Sequence, residues 1–85
     1  MEKAKKFINK EKFLLDMEYE LITSFIKMRK DMKITQQELA DKAGMIRESI
    51  ARIEKQYVSP QLDTFLKMIN ALDCKLVIVP NNEEN

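Results

Sequence analysis

The sequence predicts a mostly helical fold, a compact bundle followed by one C-terminal β-strand. The 85 residues include one Gly and two Pro, which leaves few positions for irregular loops. Apolar residues recur every three or four positions over long stretches, which is the period of an amphipathic helix. The apolar run Leu-Val-Ile-Val then ends at Pro80, a pattern typical of a strand. A chain of 10.0 kDa has room for one hydrophobic core.

Composition excludes several classes of function. The chain has no His, the usual general base and metal ligand, and it has neither a Gly-rich phosphate loop nor a nucleophile elbow. We therefore expect no enzymatic activity, no metal and no cofactor. The single cysteine, Cys74, excludes an internal disulfide. No apolar stretch reaches the length of a membrane span and no signal peptide is visible, so we expect a cytoplasmic protein.

The first part of the chain combines a basic segment with a long helix. Residues 1–12 contain five Lys and two Glu and predict a flexible or frayed end, or alternatively an arm that touches DNA phosphates or a partner protein. A helix is predicted to follow, starting near Asp16, where acidic side chains suit a first turn. Its predicted apolar stripe consists of Leu14, Met17, Leu21, Phe25, Met28 and Met32, and is widened by Ile22 and Ile26.

Residues 35–55 predict two short helices joined by a turn. Thr35 and Glu38 have the spacing of a capping box, which begins the first helix at Gln36. Gly44, the only glycine, can take the positive φ that a sharp turn after that helix requires. Ile46, Ile50 and Ile53 form one apolar face of the second helix. The opposite face then carries Arg47, Glu48, Ala51, Arg52 and Lys55.

The remaining residues predict a last core helix and the strand. Helical spacing is seen for Leu62, Phe65, Leu66, Ile69 and Leu72, so the bundle would extend over residues 13–73. Residues 74–80 then form the strand, and a single strand needs a partner for its backbone groups. We expect it to pair with the same strand of a second copy through Leu76, Val77, Ile78 and Val79, or alternatively with a different protein. Residues 81–85 are polar and acidic and predict a disordered tail.

Five positions in this arrangement carry a family resemblance: Gln36, Ala40, Gly44, Ile50 and Ile53. With them, the chain from about Leu21 to Leu72 resembles the Xre/Cro-type helix-turn-helix family of phage repressors and bacterial antitoxins. The resemblance implies a lambda-repressor-like DNA-binding domain and an ion pair between Arg29 and Glu54. A C-terminal strand that pairs across a dimer is similar to HipB-like antitoxins, and the chain length with its first helix is similar to HigA-like antitoxins.

The helix-turn-helix also predicts which side chains would contact DNA. Arg47, Glu48 and Arg52 would face base edges, with Glu48 either accepting from a cytosine amino group or orienting one of the arginines. Phosphate contacts are predicted for Thr35, Gln36, Ser49 and Lys55. Two positions depart from the family: Ile46 stands where a Ser or Thr cap is usual, and Gln56 stands where Gly is frequent.

The predicted function is that of a sequence-specific DNA-binding repressor that is also the antitoxin of a type II toxin-antitoxin pair. The resemblance implies a homodimer, an inverted-repeat operator on double-stranded DNA, and a small ribonuclease toxin of the RelE/HigB type as partner, with repression of its own operon. A stand-alone phage or mobile-element repressor is the first alternative. A protein-interaction module without DNA readout is the second, because the charge of the helix-turn-helix motif itself is close to neutral.

Overall fold

The computed structural model describes the backbone of residues 2–81 and the side chains of residues 12–81. Within this range the chain forms four helices: α1 Glu2–Asp31, α2 Gln36–Ala43, α3 Arg47–Glu54 and α4 Leu62–Ala71. α2 packs against both α3 and α4, and α1 contacts α3. Of the predicted acidic tail 81–85, only Asn81 lies within the described residues. The helical part of the predicted fold class is thus confirmed.

α1 begins much earlier than its sequence suggested. In the structure the helix begins at Glu2, so the predicted start near Asp16 was wrong. Asp16 is a mid-helix residue whose carboxylate lies 3.2 Å from Lys12 Nζ, one turn before it. Such pairs four residues apart support a continuing helix. The basic segment 1–12 is therefore largely helical in its backbone, and its role toward DNA or a partner stays a prediction.

The core lies where α2, α3 and α4 meet the second half of α1. It is made of the following buried apolar residues: Ile22, Phe25, Leu39, Ala40, Ile50, Ile53, Phe65, Met68, Ile69, Ala71 and Leu72. The rings of Phe25 and Phe65 join α1 to α4, with centroids 5.7 Å apart and planes tilted by 55°. This tilted arrangement is favoured between aromatic rings beyond the area that they bury. The small side chain of Ala40, fully buried, lies in the same cluster.

The apolar stripe predicted along α1 faces the core only in part. Five of its eight members are exposed: Leu14, Met17, Leu21, Met28 and Met32. Ile22 and Phe25 are buried on an adjacent face together with Arg29, and Ile26 packs against the core beside them. α1 thus has two apolar faces, and the helices of this chain cover only one. On α4, likewise, Leu62 and Leu66 remain exposed although they belong to the predicted core series.

All four helices end with one backbone motif. In each, the backbone N–H of a residue with positive φ donates a hydrogen bond to the carbonyl three residues before it. The N–H of the next residue donates to the carbonyl five residues before itself, as in a Schellman motif. The positive-φ residues are Lys33, Gly44, Gln56 and Asp73. Only Gly44 is free of the cost of about 1–2 kcal/mol that a side chain adds in this conformation. The sequence predicts the turn at Gly44 and gives no sign of the motif at Lys33 and Asp73.

The C-terminal segment has no regular secondary structure in the single chain. Among residues 2–81 there is no β-strand, and residues 74–81 follow α4 without one. Leu76, Val77, Ile78 and Val79 are all exposed, with Ile78 at 100%. The predicted strand and its pairing between two copies therefore stay predictions.

Candidate nucleic-acid interface

The turn between α2 and α3 is built by local hydrogen bonds. Thr35 Oγ1 accepts from the amide of Glu38 at 3.0 Å, and the Glu38 carboxylate accepts from the amide of Thr35 at 2.8 Å, which confirms the capping box. Gly44 ends α2 with φ 69°, and no atom lies within 4 Å of the position that a Cβ would take. Backbone conformation rather than space therefore favours glycine here.

α3 has one buried face and one exposed face. Ile50 and Ile53 are buried, while Arg47, Glu48 and Arg52 are exposed. Together with neighbouring side chains these exposed residues surround one shallow depression, which we call the basic face. It is lined by Arg47, Glu48, Ala51, Arg52, Lys55 and Tyr57. The structure thus brings together all three predicted base-contacting residues and one of the predicted phosphate contacts, Lys55.

The basic face carries three cations and one carboxylate, so it is positive although the whole chain has a net charge of +1. The ion pairs found among the described side chains involve none of its residues. Glu48 accordingly forms no ion pair with Arg47 or Arg52 in the free protein. The arginine side chains are therefore available for an external acceptor.

Behind this face, one buried ion pair fixes the position of α3. Arg29 donates from Nε to Glu54 Oε2 at 2.8 Å and from a terminal nitrogen to Glu54 Oε1 at 2.9 Å, a bidentate contact between α1 and the last residue of α3. Its other terminal nitrogen donates to the Ile34 carbonyl at 2.7 Å. The two side chains are 8% and 6% exposed. This is the pair that the family resemblance implies.

Gln36 joins the same network from the first turn of α2. Its amide nitrogen donates to Glu54 Oε1 at 3.0 Å. A carboxylate only accepts, so the NH₂ group of Gln36 faces Glu54, and its second hydrogen remains for another acceptor. The predicted phosphate contact at Gln36 is compatible with this geometry and stays a prediction. The sequence did not indicate the bond to Glu54.

The two departures from the family pattern have different outcomes. Ile46 occupies the N-cap of α3 without a side-chain hydrogen bond and is 65% exposed, so its predicted place on the buried face was wrong. The cap conformation turns its side chain away from the line of Ile50 and Ile53. Gln56 takes the positive φ of 62° that glycine would take, so the turn after α3 is retained at some conformational cost.

Residues 26–79 match the model of a family described as helix-turn-helix. This match covers more than half of the chain. The chain belongs to this helix-turn-helix family. The resemblance to Xre-type domains that its residues carry is thereby confirmed.

Two known proteins are similar to this helix-turn-helix chain. An uncharacterized HTH-type transcriptional regulator of Haemophilus influenzae is 40% identical over 65 residues, which cover 76% of this chain and 66% of that protein. The chain thus spans about two thirds of the length of that relative. A solved structure described as a toxin-antitoxin module from Streptococcus pneumoniae has a chain with a TM-score of 0.67 and 34% identity, covering 86% of this chain and 80% of that one.

The remaining predicted site residues are Thr35, Ser49 and the dimerisation residues at positions 76–79. Thr35 is exposed at the start of α2. Ser49 is half-buried and lines a second depression, toward the start of α4, which shares Arg52 with the basic face. The predicted dimerisation residues at positions 76–79 lie beyond α4. Tyr57 is 70% exposed on the basic face and was not among the predicted site residues. The direction of its ring depends on the turn at Gln56, where the family frequently has glycine.

Two findings concern other classes of site. In the described part of the chain, no group of three or more His, Cys, Asp or Glu residues is arranged to hold a metal ion. None of the helices formed by residues 2–81 is long and apolar enough to cross a membrane.

The buried pair predicts an asymmetry between single and double substitutions. Arg29→Met should lower the free energy of unfolding by about 3–5 kcal/mol, because Glu54 is left buried without a counter-charge. Arg29→Met combined with Glu54→Leu should lose less than Arg29→Met alone, since no unpaired charge remains. Urea denaturation followed by helical circular dichroism at one protein concentration measures both.

A matched control is Lys27→Met, two residues away on α1. Lys27 donates to Asp31 at 2.9 Å, and this hydrogen bond, with the charge of Asp31, raises the pKa of Lys27. Both side chains are more than half exposed, so the midpoint should hardly change. Equal losses for Lys27→Met and Arg29→Met, or additive losses in the double variant, would contradict the assigned role of the pair.

Proposed function

We propose that this helix-turn-helix protein is a sequence-specific DNA-binding repressor, and that it acts in the cytoplasm as the antitoxin of a type II toxin-antitoxin pair. Its family is one of transcriptional regulators, which act by binding, and we infer no enzymatic activity. The toxin would be a small ribonuclease of the RelE/HigB type, and the complex would repress its own operon. The toxin-antitoxin module among similar structures supports the antitoxin part.

The observation that carries the DNA-binding proposal is the unpaired basic face of α3. Arg47 and Arg52 project from a helix whose other face is anchored by Ile50 and Ile53, so the arginines can move only as far as their own side chains allow. A helix of this kind fits the major groove, where an arginine can donate two hydrogen bonds to O6 and N7 of guanine. Glu48, free of both arginines, can accept from a cytosine amino group.

Phosphate contacts would fix the register of that helix on the duplex. Gln36 retains one amide hydrogen because it donates only the other to Glu54, and Thr35 retains its hydroxyl hydrogen because its oxygen acts as an acceptor for the Glu38 amide. Lys55 adds a charge at the end of α3, and Ser49 a hydroxyl at its side. A symmetric dimer would place two such helices about 34 Å apart, one turn of DNA, and would therefore recognise an inverted repeat.

A protein partner is supported by the exposed apolar surface of α1. Phe13, Leu14, Leu15, Met17 and Tyr19 are each more than half exposed within two turns of one helix. Exposed apolar side chains concentrated in one short segment are typical of sites of protein association. Because the proposed dimer forms through residues 76–79, this surface of α1 is left for a second protein, which an antitoxin needs and a stand-alone repressor does not.

Arg47→Ala and Arg52→Ala should each weaken binding to the operator roughly 5- to 150-fold, corresponding to about 1–3 kcal/mol for a lost bidentate contact. The affinity is measured in a mobility-shift assay with the DNA upstream of the gene as the probe and unrelated DNA as the competitor. Lys67→Ala, which removes an exposed charge of α4 outside the basic face, is the control and should leave the affinity unchanged. Unchanged binding by both arginine variants would rule out α3 as the recognition helix.

Deletion of residues 75–85 should convert the dimer to a monomer in sedimentation experiments, because the strand that pairs the two copies is removed. Two double variants define the buried side of that strand, since alternate residues face opposite sides. Leu76→Asp with Ile78→Asp changes one side, and Val77→Asp with Val79→Asp changes the other. At least one of them should dissociate the dimer, and a dimer that survives the deletion would refute strand pairing.

Coexpression with the neighbouring open reading frame should yield a stable complex with a small basic protein that degrades RNA. The free partner should cleave RNA in vitro, and stoichiometric addition of this chain should abolish the cleavage. If no neighbouring frame encodes such a protein, the antitoxin part of the proposal fails and the alternative of a stand-alone repressor holds. A complex without any operator binding would favour the interaction module instead.

A further inference from the structure

Tyr57 is an aromatic residue that serves no visible purpose in the core. Its side chain is 70% exposed, and it lines the basic face with Arg47, Arg52 and Lys55. An exposed ring gains little from the hydrophobic effect, so burial does not explain its position. Its location beside three cations indicates a role at the surface where the proposed DNA contact takes place.

The backbone fixes where this ring lies. Lys55 caps the C-terminal end of α3, and Gln56 then reverses the chain direction with φ 62°. The amide of Tyr57 donates to the carbonyl of Arg52 at 3.0 Å, and the amide of Gln56 donates to the carbonyl of Ile53 at 2.9 Å. Because of these two bonds, Tyr57 is tied to the last turn of α3 and not to a loop that moves independently.

The ring contacts one particular cation. Nζ of Lys55 lies 5.8 Å from the centre of the Tyr57 ring. An ammonium group at this distance is attracted to the electron-rich face of the ring. A lysine side chain is otherwise flexible, and fixing it on DNA would cost conformational entropy. A ring that already restricts Lys55 reduces this cost, and the ammonium group still has N–H donors for a phosphate.

We propose that Tyr57 is a positioning residue that holds Lys55 toward a DNA phosphate at the C-terminal end of the recognition helix. The proposal rests on the proposed DNA-binding function and extends it to a residue outside the base-reading positions. Arg47 and Arg52 would then read bases, and the Lys55–Tyr57 pair would anchor the end of α3 to the phosphate backbone irrespective of base sequence. The contact made by the ring, not the hydroxyl group, carries this role.

The experiment measures affinity for the upstream DNA by fluorescence anisotropy at a series of salt concentrations. Lys55→Gln should reduce the slope of log affinity against log salt concentration by about 0.9, the value for one lost phosphate contact. Tyr57→Leu should weaken binding roughly two- to fivefold, the range expected for loss of a cation–π contact at an exposed site. Tyr57→Phe retains the ring and should bind within about twofold of the wild type.

The double variant tests the dependence of one residue on the other. In the Lys55→Gln background, Tyr57→Leu should have no further effect, because no ammonium group remains to be positioned. Gln56→Gly, which keeps the turn without a side chain, is the control and should bind as the wild type does. All these side chains are exposed, so unchanged circular dichroism is expected for every variant. The thermal midpoint should also be unchanged except in Gln56→Gly, where it should rise because glycine takes the positive φ without the cost of a side chain.

Three results would overturn the proposal. Wild-type affinity in Tyr57→Leu would show that the ring has no role in binding. An equal loss in the Lys55→Gln background would show that the two residues act independently, and a Tyr57→Phe variant as weak as Tyr57→Leu would assign the effect to the hydroxyl group. In each case binding by the wild type upholds the proposed function, whereas a wild type that fails to bind the upstream DNA refutes both.

Discussion

The bidentate contact between Arg29 and Glu54 is the interaction on which the arrangement of the helices depends. Arg29 lies on α1, and its third hydrogen bond reaches the Ile34 carbonyl in the connection to α2. Glu54 is the last residue of α3 and also accepts a hydrogen bond from Gln36 on α2. Three helices thus share one hydrogen-bond network. Among the described side chains, every buried polar atom has a hydrogen-bond partner. Such a network favours this geometry, because a packing that buried only one of the two charges would leave it unpaired.

This network also explains how so small a domain can present a defined surface. Two eight-residue helices, α2 and α3, are too short to be stable alone, so their orientation comes from tertiary contacts. Ile50 and Ile53 fix the inner face of α3 by packing, and Glu54 fixes its end by hydrogen bonds. The exposed arginines are thereby presented from a helix with little freedom to rotate. Precision of this order is what base recognition requires of a supporting scaffold.

Local chemistry was predictable from the sequence, whereas long-range placement was predictable only in part. The capping box at Thr35 and the turn at Gly44 follow from single residues with one strongly favoured conformation. The exposure of Ile46 and Leu14 could not be predicted, because an apolar residue at helical spacing does not reveal which face a partner covers. The bond from Gln36 to Glu54 joins residues 18 apart and becomes evident only when α2 and α3 are packed.

Large apolar side chains lie on the surface of this chain as well as in its core. Of the described side chains, 11 apolar residues form the buried core, whereas 17 large apolar residues remain exposed. Six of the exposed residues lie between positions 13 and 21 in the middle of α1, and four lie at positions 76–79. Surface of this extent is costly in water unless a second chain covers it. The proposed function calls for two protein contacts, one with a second copy and one with a toxin, and two such concentrations of exposed apolar residues would serve them.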